Sequence, residues 1–435
     1  MSEIVLFKNI QKNGPELFPA GAAAIPACGY DDYVKNGGYQ GARKALKMAP
    51  LEVQQVVKDS GLRGRGGAGF PTGMKWSFVP MDFKGQKYLI CNCDEMEPGT
   101  FKDRALVYGD PHQLIESMII AAYAMQMTQG FIFIRCEYRK GARILEQAAA
   151  EALNHGWLGK NIQSSGFDFH LDVHLSAGRY ICGEETALLN SLEGKRANPR
   201  SKPPFPQVYG FLGSPTIVNN VETLCNLPHI LARGAQWHKS LGLNGNAGTK
   251  IMGASGRVKN PGLWELPLGT PMREVLNEHA GGPSRGKSFK TVIPGGLSTP
   301  MMTPDQFDTP LDFDSVAKAG SRLGTACLIA FDEDDCMVAA TANIMKFYMR
   351  ESCGFCTPCR EGIPWIYETV KAIAEGKGEE GDLAVLDDMA RHIFHTFCAF
   401  APGAQGPLLS AITTFRHEFE FLIQKSQCHT AGGAS

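Results

Sequence analysis

The sequence predicts an α/β chain in three consecutive parts: an open α/β sheet, a small α+β segment and a C-terminal helical bundle. Three observations carry this reading. From Lys87 to about Asn226, apolar strand-like runs alternate with longer helical stretches, as βα units do. After Asp335 the apolar spacing becomes helical, with breaks at Gly, Pro and Asp. A length of 435 residues exceeds what one core organises, and at about 150 residues per domain it points to two or three domains.

Taken in order, PLEVQQVVKDSG reads as an amphipathic helix ending on Gly61. The βα series follows: KYLICNC, PHQLIESMIIAAYAM, GFIFIRCEY, ARILEQAAAEALNHG, FDFHLDVHLS and EETALLNSLEG. Sheets built this way bind ligands outside the carboxyl ends of their strands, which locates a site. From about Thr249 to Asp335 the runs KIMGASGRV, GLWELP and SFKTVIPGG read as short strands around one helix, PMREVLNEHA. The bundle would then hold MVAATANIMKFYMRES, GIPWIYETVKAIAEG, DLAVLDDMARHIF and GPLLSAITTFRHEFEFLIQK.

Bulk properties narrow the function classes. A formal net charge of -1 speaks against a wrapped nucleic acid or an electrostatic membrane anchor. The N-terminus, MSEIVLFKNIQKNGPELFPAGAAAIP, has no basic stretch followed by a long apolar core, and no run of 18 apolar residues occurs anywhere, so a cytosolic chain is expected. Thirteen cysteines are an odd number in a large chain without a secretory signal, which favours metal or packing roles over disulfides. Cys28, Cys136, Cys225, Cys327 and Cys336 stand alone and are expected to be small core residues.

The strongest local signal is ESCGFCTPCREG, which sets Cys353, Cys356 and Cys359 two residues apart. No second CxxC pair accompanies it to complete a zinc site of the two-pair type. Three closely spaced thiolates suit a [4Fe-4S] cluster, which takes three ligands from one loop and a fourth from a remote segment. Cys398, in HTFCAFAPG, is the best candidate for the fourth. A zinc knuckle, or plain buried cysteines, is the competing reading.

Three further constellations point to a nucleotide. Gly64-x-Gly66-x-x-Gly69 matches the dinucleotide fingerprint letter for letter, but a helix precedes it where a strand should. Its glycines, Gly67 included, still let backbone N-H groups approach a phosphate, with Arg65 and Lys75 adding charge. The strand KYLICNC delivers Asn92, Asp94, Glu95 and Glu97 to its carboxyl end, where carboxylates suit hydroxyl and amide donors. In GRYICGEETALLNSL, Gly183, Glu184 and Glu185 open a helix whose acidic start would repel phosphate and receive sugar hydroxyls. VNNVETL offers Asn219, Asn220 and Thr223 at a helix start better suited to phosphate. SKPPF is a stiff turn able to present Lys202 and Phe205.

GRGGAGFPTGMKW, CNCDEMEPGTFKDR, GRYICGEETALLNSLEGKRANPRSKPPFP, PTIVNNVETL and ESCGFCTPCREG together resemble the NADH-binding flavoprotein subunits (F type) of bacterial respiratory complex I, NADH:quinone oxidoreductase, over nearly the whole chain and in the same order. The resemblance implies a Rossmann-like FMN-binding domain over 1–240, a small β-grasp domain of the soluble ligand-binding type over 241–334 and a helical [4Fe-4S] domain over 335–435. FMN would lie against Gly64, Gly66, Gly67, Lys75, Asn92, Asp94, Glu95, Tyr180, Gly183, Glu184, Asn219, Asn220 and Thr223. The adenine of NADH would stack among Phe70, Phe78 and Phe205, with Glu97, Glu185 and Lys202 on the remainder. Glu185 would favour NADH over NADPH by accepting a 2'-hydroxyl and repelling a 2'-phosphate. The flavin carries the chemistry, so no side chain acts as nucleophile or acid-base catalyst, and Glu95, Glu97 and Tyr180 position it. The cluster on Cys353, Cys356, Cys359 and Cys398 receives the electrons.

The implied partners are other complex I subunits, especially a thioredoxin-like [2Fe-2S] subunit and a large multi-cluster iron-sulfur subunit, which would place the chain peripherally on the cytoplasmic side of the inner membrane. Cys93 departs from the family pattern, where a small residue usually separates Asn92 from Asp94. Strand alternation turns Cys91 and Cys93 away from Asn92, as packing residues. A diaphorase subunit of an NAD-linked hydrogenase or formate dehydrogenase resembles the chain through the same three parts, but the absence of fused iron-sulfur or thioredoxin-like extensions favours the respiratory complex. A zinc-stapled interaction module without flavin is the alternative outside enzymes.

Overall fold

Strand β1, Tyr88–Cys93, is the axis of the first sheet. Its apolar residues Leu89, Ile90, Cys91 and Cys93 are fully buried, as expected for a strand covered on both faces. β2 (Gln129–Ile134), β3 (His170–Leu175) and β4 (Thr216–Asn220) complete a parallel sheet in the order β3-β2-β1-β4. The register sets Asn92 opposite Asn220. β3 closes one edge, with exposed His170, Asp172 and His174 alternating with half-buried Leu171 and Val173. β4 has no counterpart among the expected strands, because its five residues run directly into the helical start that dominates the local pattern.

The computed structural model describes residues 3–10 and 26–425, so part of the N-terminal leader expectation lies outside the described residues. By contacts the chain divides into two units. The first comprises Met1–Met96, Thr100–Gly253 and Pro261–Thr270, and the second Glu97–Gly99, Ala254–Asn260 and Pro271–Ser435.

In the first unit the helix Pro111–Met125 is buried nearly all round, which explains why its sequence is apolar on every face. Asp110 caps it, accepting from the Gln113 N-H. Glu116 on this helix accepts from the Tyr33 hydroxyl and from the backbone N-H groups of Tyr39 and Ala42, tying the N-terminal helices to the sheet layer. A core of Ile90, Phe133, Leu188, Leu189, Phe211 and Val218 packs the helix Glu185–Leu192 onto the sheet. β5 (Thr249–Gly256) runs out of this unit and β6 (Gly262–Pro267) returns to it. There Glu265 accepts from the N-H groups of Val5, Leu6 and Phe7.

In the second unit β7 (Phe289–Ile293) pairs antiparallel with β8 (Cys327–Asp332), and Ser255 at the end of β5 donates to the Leu328 carbonyl. β8 was not among the expected strands. The expected helix PMREVLNEHA is a single helical turn, Met272–Glu274, that widens into a π-turn over Val275–His279. The C-terminal helices are Met337–Glu351, Thr357–Ala374, Asp382–Ile393, Phe400–Thr414 and Arg416–Lys425.

Two of these boundaries differ from the expected ones. The second helix starts at Thr357 rather than Gly362, because Pro358 fits a first turn, and Pro364 is carried inside. The last expected helix is two helices, interrupted at Phe415, and the first of them starts at Phe400 and carries Pro407 internally. Glu418 pins the final helix by accepting from the Met337 N-H and pairing with Lys290. Of the five isolated cysteines, Cys225 and Cys327 are buried, whereas Cys28, Cys136 and Cys336 are only half-buried. Among the described residues no helix is long and apolar enough to cross a membrane.

Candidate functional site

The first sheet has one point where strand order reverses: the chain builds β2 and β3 on one side of β1, then returns to lay β4 on the other. A crevice at the carboxyl ends of β1 and β4 is the consequence. It holds a cavity of about 920 Å³, lined by Asn92 from β1 and by Val218, Asn219 and Asn220 from β4. That volume is in the range of cofactor sites.

One wall is the glycine loop, with Gly64, Gly66, Ala68, Gly69 and Phe70 facing the cavity. The loop is closed by Gly64 N-H to Phe70 O at 2.9 Å and Thr72 N-H to Leu62 O at 2.9 Å. Gly66 lets the loop approach β4 closely, since a Cβ there would stand 3.0 Å from Asn220 Cβ. Arg65 does not face the cavity. Its side chain is fully buried, donates to the Ala247 carbonyl at 2.9 Å, and is pulled down to about 10 by burial, while its backbone N-H donates to Thr223 Oγ1 at 2.7 Å. The expected phosphate charge from Arg65 is therefore directed inward. Gly67, at φ +129°, also lies outside the lining.

Beneath β4 runs a buried charge network. Asn220 accepts from Lys102 and donates to Asp103 at 2.6 Å. Lys102 pairs with Asp103 at 2.7 Å and Glu222 at 2.9 Å, and Glu222 pairs with Lys250 at 2.7 Å. Burial alone would raise Glu222, but the Lys102 and Lys250 ammoniums outweigh it and hold the carboxyl below its usual range. Glu95 belongs to this network rather than to the cavity wall. It accepts from the Asp103 N-H at 2.7 Å and the Tyr138 hydroxyl at 3.1 Å, and burial, with Asp103 beside it, pushes it up to about 7.

Other expected contacts also fall outside the lining. Asp94 accepts from Ser176 Oγ at 2.7 Å, and Tyr180 opens the turn Tyr180–Gly183. Glu97 groups with the second unit, where it accepts from the Ser298 N-H at 2.6 Å. Cys91 and Cys93 are fully buried while Asn92 lines the cavity, the two faces that strand alternation demands.

The opposite wall carries the charge. Lys75 pairs with Glu185 at 2.9 Å and donates to the Val218 carbonyl at 2.8 Å. Lys202 bridges Glu184 at 3.0 Å and Glu185 at 2.9 Å. Glu184 is also the helix cap, accepting from the Thr186 and Ala187 N-H groups. Glu185, which burial would raise, is instead held low by the two lysines. The helix expected to seat a phosphate, Val221–Cys225, is five residues long, and its Asn220 cap already takes the Glu222 N-H. Phe70, Phe78 and Phe205 line the mouth and are about half exposed, with Phe70 and Phe78 centroids 6.5 Å apart.

Two side-chain polar atoms of lining residues, Thr72 Oγ1 and Gln207 Oε1, have no hydrogen-bond partner among the described residues, and the residues are only 2% and 8% exposed. Buried polar groups are ordinarily satisfied, and both atoms are closed to solvent even though their residues line the cavity. Neither was a sequence expectation: Thr72 adjoins the glycine motif and Gln207 the proline turn, and only the folded lining distinguishes them from their neighbours.

In the second unit Cys356 precedes the helix Thr357–Ala374, which carries Cys359, while Cys398 precedes the helix Phe400–Thr414. The two segments meet: Phe355 and Phe397, each beside a cysteine, pack edge to face at 5.2 Å. Burial pushes the Cys398 thiol up to about 11, and Cys353, Cys359 and Cys356 add to the shift, as clustered thiols do. The Cys398 segment thus meets the cysteine loop, while among the described residues no three such side chains converge closely enough to hold a single metal ion.

Comparison with known proteins finds matches over both regions. The profile of the Nuo51 FMN-binding domain matches residues 57–229, that of the SLBB domain 255–304, and that of the NADH-ubiquinone oxidoreductase-F iron-sulfur binding region 339–422. The chain is 54% identical over 409 residues to the F subunit of NADH-quinone oxidoreductase from Salmonella typhimurium and to that from Escherichia coli, covering 93% of this chain and 92% of each relative. The F subunit from Mycobacterium bovis is 47% identical over 404 residues, covering 92% of this chain and 91% of the relative. The crystal structure of an NAD+-reducing [NiFe]-hydrogenase in the H2-reduced state superposes with a TM-score of 0.82 at 34% identity, over 94% of this chain and 70% of that one. With half its residues shared across nine-tenths of its length, the chain belongs to the family of NADH-quinone oxidoreductase F subunits.

Proposed function

We propose that the chain is the NADH-oxidising subunit of a respiratory NADH:quinone oxidoreductase, with FMN in the cavity of the first unit and a [4Fe-4S] cluster on the four cysteines of the second. The observation that carries the flavin assignment is the switch-point cavity itself, walled by glycine backbone at the carboxyl ends of β1 and β4. When bound, FMN supplies hydride acceptance from NADH and single-electron delivery to the cluster, chemistry that no side chain here offers.

The chain's own residues bind and orient. Gly64, Gly66 and Gly69 let the cofactor approach the backbone, with Lys75, Asn92, Gly183, Glu184, Asn219, Asn220 and Thr223 around it. Phe70, Phe78 and Phe205 offer faces for the adenine, and Lys202 and Glu185 serve the rest of the dinucleotide. Asp94, Glu95 and Tyr180, which do not line the cavity, act from behind it. Lys75 and Lys202 hold Glu185 ionised, ready to accept from a ribose 2'-hydroxyl.

Three functional segments, 1–240, 241–334 and 335–435, each contain one matched profile. A thioredoxin-like [2Fe-2S] subunit and a multi-cluster iron-sulfur subunit are the partners we propose, holding the chain on the cytoplasmic side of the inner membrane. The likeness to an NAD+-reducing hydrogenase supports a second setting for the same chemistry, with a hydrogenase as partner. The higher identity to the F subunits of NADH-quinone oxidoreductases favours the respiratory one. The test is an anaerobic absorption titration of the FMN-loaded chain with NADH. Bleaching of the flavin band is expected, and an FMN-loaded chain that NADH leaves oxidised would remove the reading.

A further inference from the structure

The cysteine loop carries a hydroxyl in contact with one of the four thiols. Ser352 Oγ lies 3.2 Å from Cys359 Sγ, and the same oxygen lies 3.3 Å from the Gly354 backbone nitrogen. A backbone N-H can only donate, so Ser352 Oγ accepts from Gly354 and keeps its single proton for another partner. A cysteine that ligates a cluster is a thiolate with no proton to give, so in that state Ser352 donates and the Cys359 sulfur accepts. The serine is held in place for this. Its N-H donates to the Tyr348 carbonyl at the end of the helix Met337–Glu351, and Arg360 donates to the Gly354 carbonyl at 3.0 Å, clamping the loop that carries the N-H. Cys359 is 6% exposed, so water competes poorly for the same sulfur.

We propose that Ser352 is a positioning residue that sets the reduction potential of the iron-sulfur centre, through a hydrogen bond donated to the Cys359 sulfur. The inference rests on the reading of the four cysteines as cluster ligands. One-electron reduction adds negative charge that is shared with the ligand sulfurs, so a donor aimed at one of them stabilises the reduced form more than the oxidised form. The serine makes the centre easier to reduce without touching the nucleotide site. No proton moves in this arrangement.

The test is an EPR-monitored redox titration of the full chain carrying its cluster, comparing the wild type with Ser352→Ala, Ser352→Thr and Ser352→Val. Threonine keeps the hydroxyl and valine is its hydroxyl-free isostere, so this pair separates the hydrogen bond from packing even where alanine disturbs the loop. We expect Ser352→Ala and Ser352→Val to lower the midpoint, by up to about tenfold in the reduced-to-oxidised ratio at a fixed poise, about 59 mV for one electron, and Ser352→Thr to stay near the wild type. Equal midpoints for threonine and valine would overturn the proposal and leave the cluster assignment standing. A wild-type chain that binds zinc, with no iron or sulfide, would overturn the cluster assignment and the proposal together.

Discussion

The nucleotide cavity and the cysteine centre are assembled by contrasting means. The cavity collects its lining from separated stretches between Gly64 and Thr223, brought together by a parallel sheet whose strand order reverses beside β1. Three of the four thiols proposed for the cysteine centre come from one short loop, and Cys398 is remote. The first depends on sheet topology and on a buried charge network, Glu95, Lys102, Asp103, Glu222 and Lys250, that backs Asn220 from within. The second depends on local chain geometry and on thiol chemistry. A global fold can place many weak contacts around a large organic cofactor, whereas a compact inorganic cluster needs few ligands and forgives distance along the chain.

This contrast predicts where each region breaks. The largest effect is expected at Glu222, which is fully buried between two lysines. Glu222→Ala leaves Lys102 and Lys250 buried with reduced compensation, a change that costs about 3–5 kcal/mol. Urea denaturation of the variant against the wild type measures it, and a loss below about 1 kcal/mol would show that the network is not what holds the cavity floor.

A smaller effect is expected at the cavity wall. Glu185→Ala removes the carboxylate that Lys75 and Lys202 share, leaving two ammoniums facing the cavity. Discrimination against the extra phosphate of NADPH should then relax by about tenfold, about 1.4 kcal/mol, read as the ratio of kcat/KM for NADPH to that for NADH. An unchanged ratio would take Glu185 out of that role.

The same contrast explains what the sequence made legible. Cys353, Cys356 and Cys359 are recognisable as candidate ligands because their spacing is local, and Cys398 is proposed with them only because a cluster needs a fourth ligand. The alternation in KYLICNC correctly divided Asn92 from Cys91 and Cys93. The cavity was harder. Arg65 sits in a glycine loop as any phosphate-binding arginine would, and only the fold reveals that its side chain turns inward to Ala247. Glu95 and Asp94 are carboxylates at a strand end, yet their partners Asp103, Tyr138 and Ser176 draw them away from the cavity. β4 and β8 were hidden because short strands beside stronger turn or helix signals have little pattern of their own. Pro358 and Pro364 look like stops, but the first fits an opening turn and the second is carried inside the helix, so the helix behind the cysteine loop starts earlier than its sequence suggests.

The central claim is a division of labour: the first unit takes the hydride and the second takes the electrons. The most direct measurement is an anaerobic titration of Cys356→Ala with NADH, following flavin absorption and low-temperature EPR together, beside the wild type. The wild type is expected to show flavin bleaching and a reduced [4Fe-4S] signal, while the variant bleaches and gives no cluster signal. A folded, FMN-loaded variant whose flavin NADH no longer reduces would contradict that division.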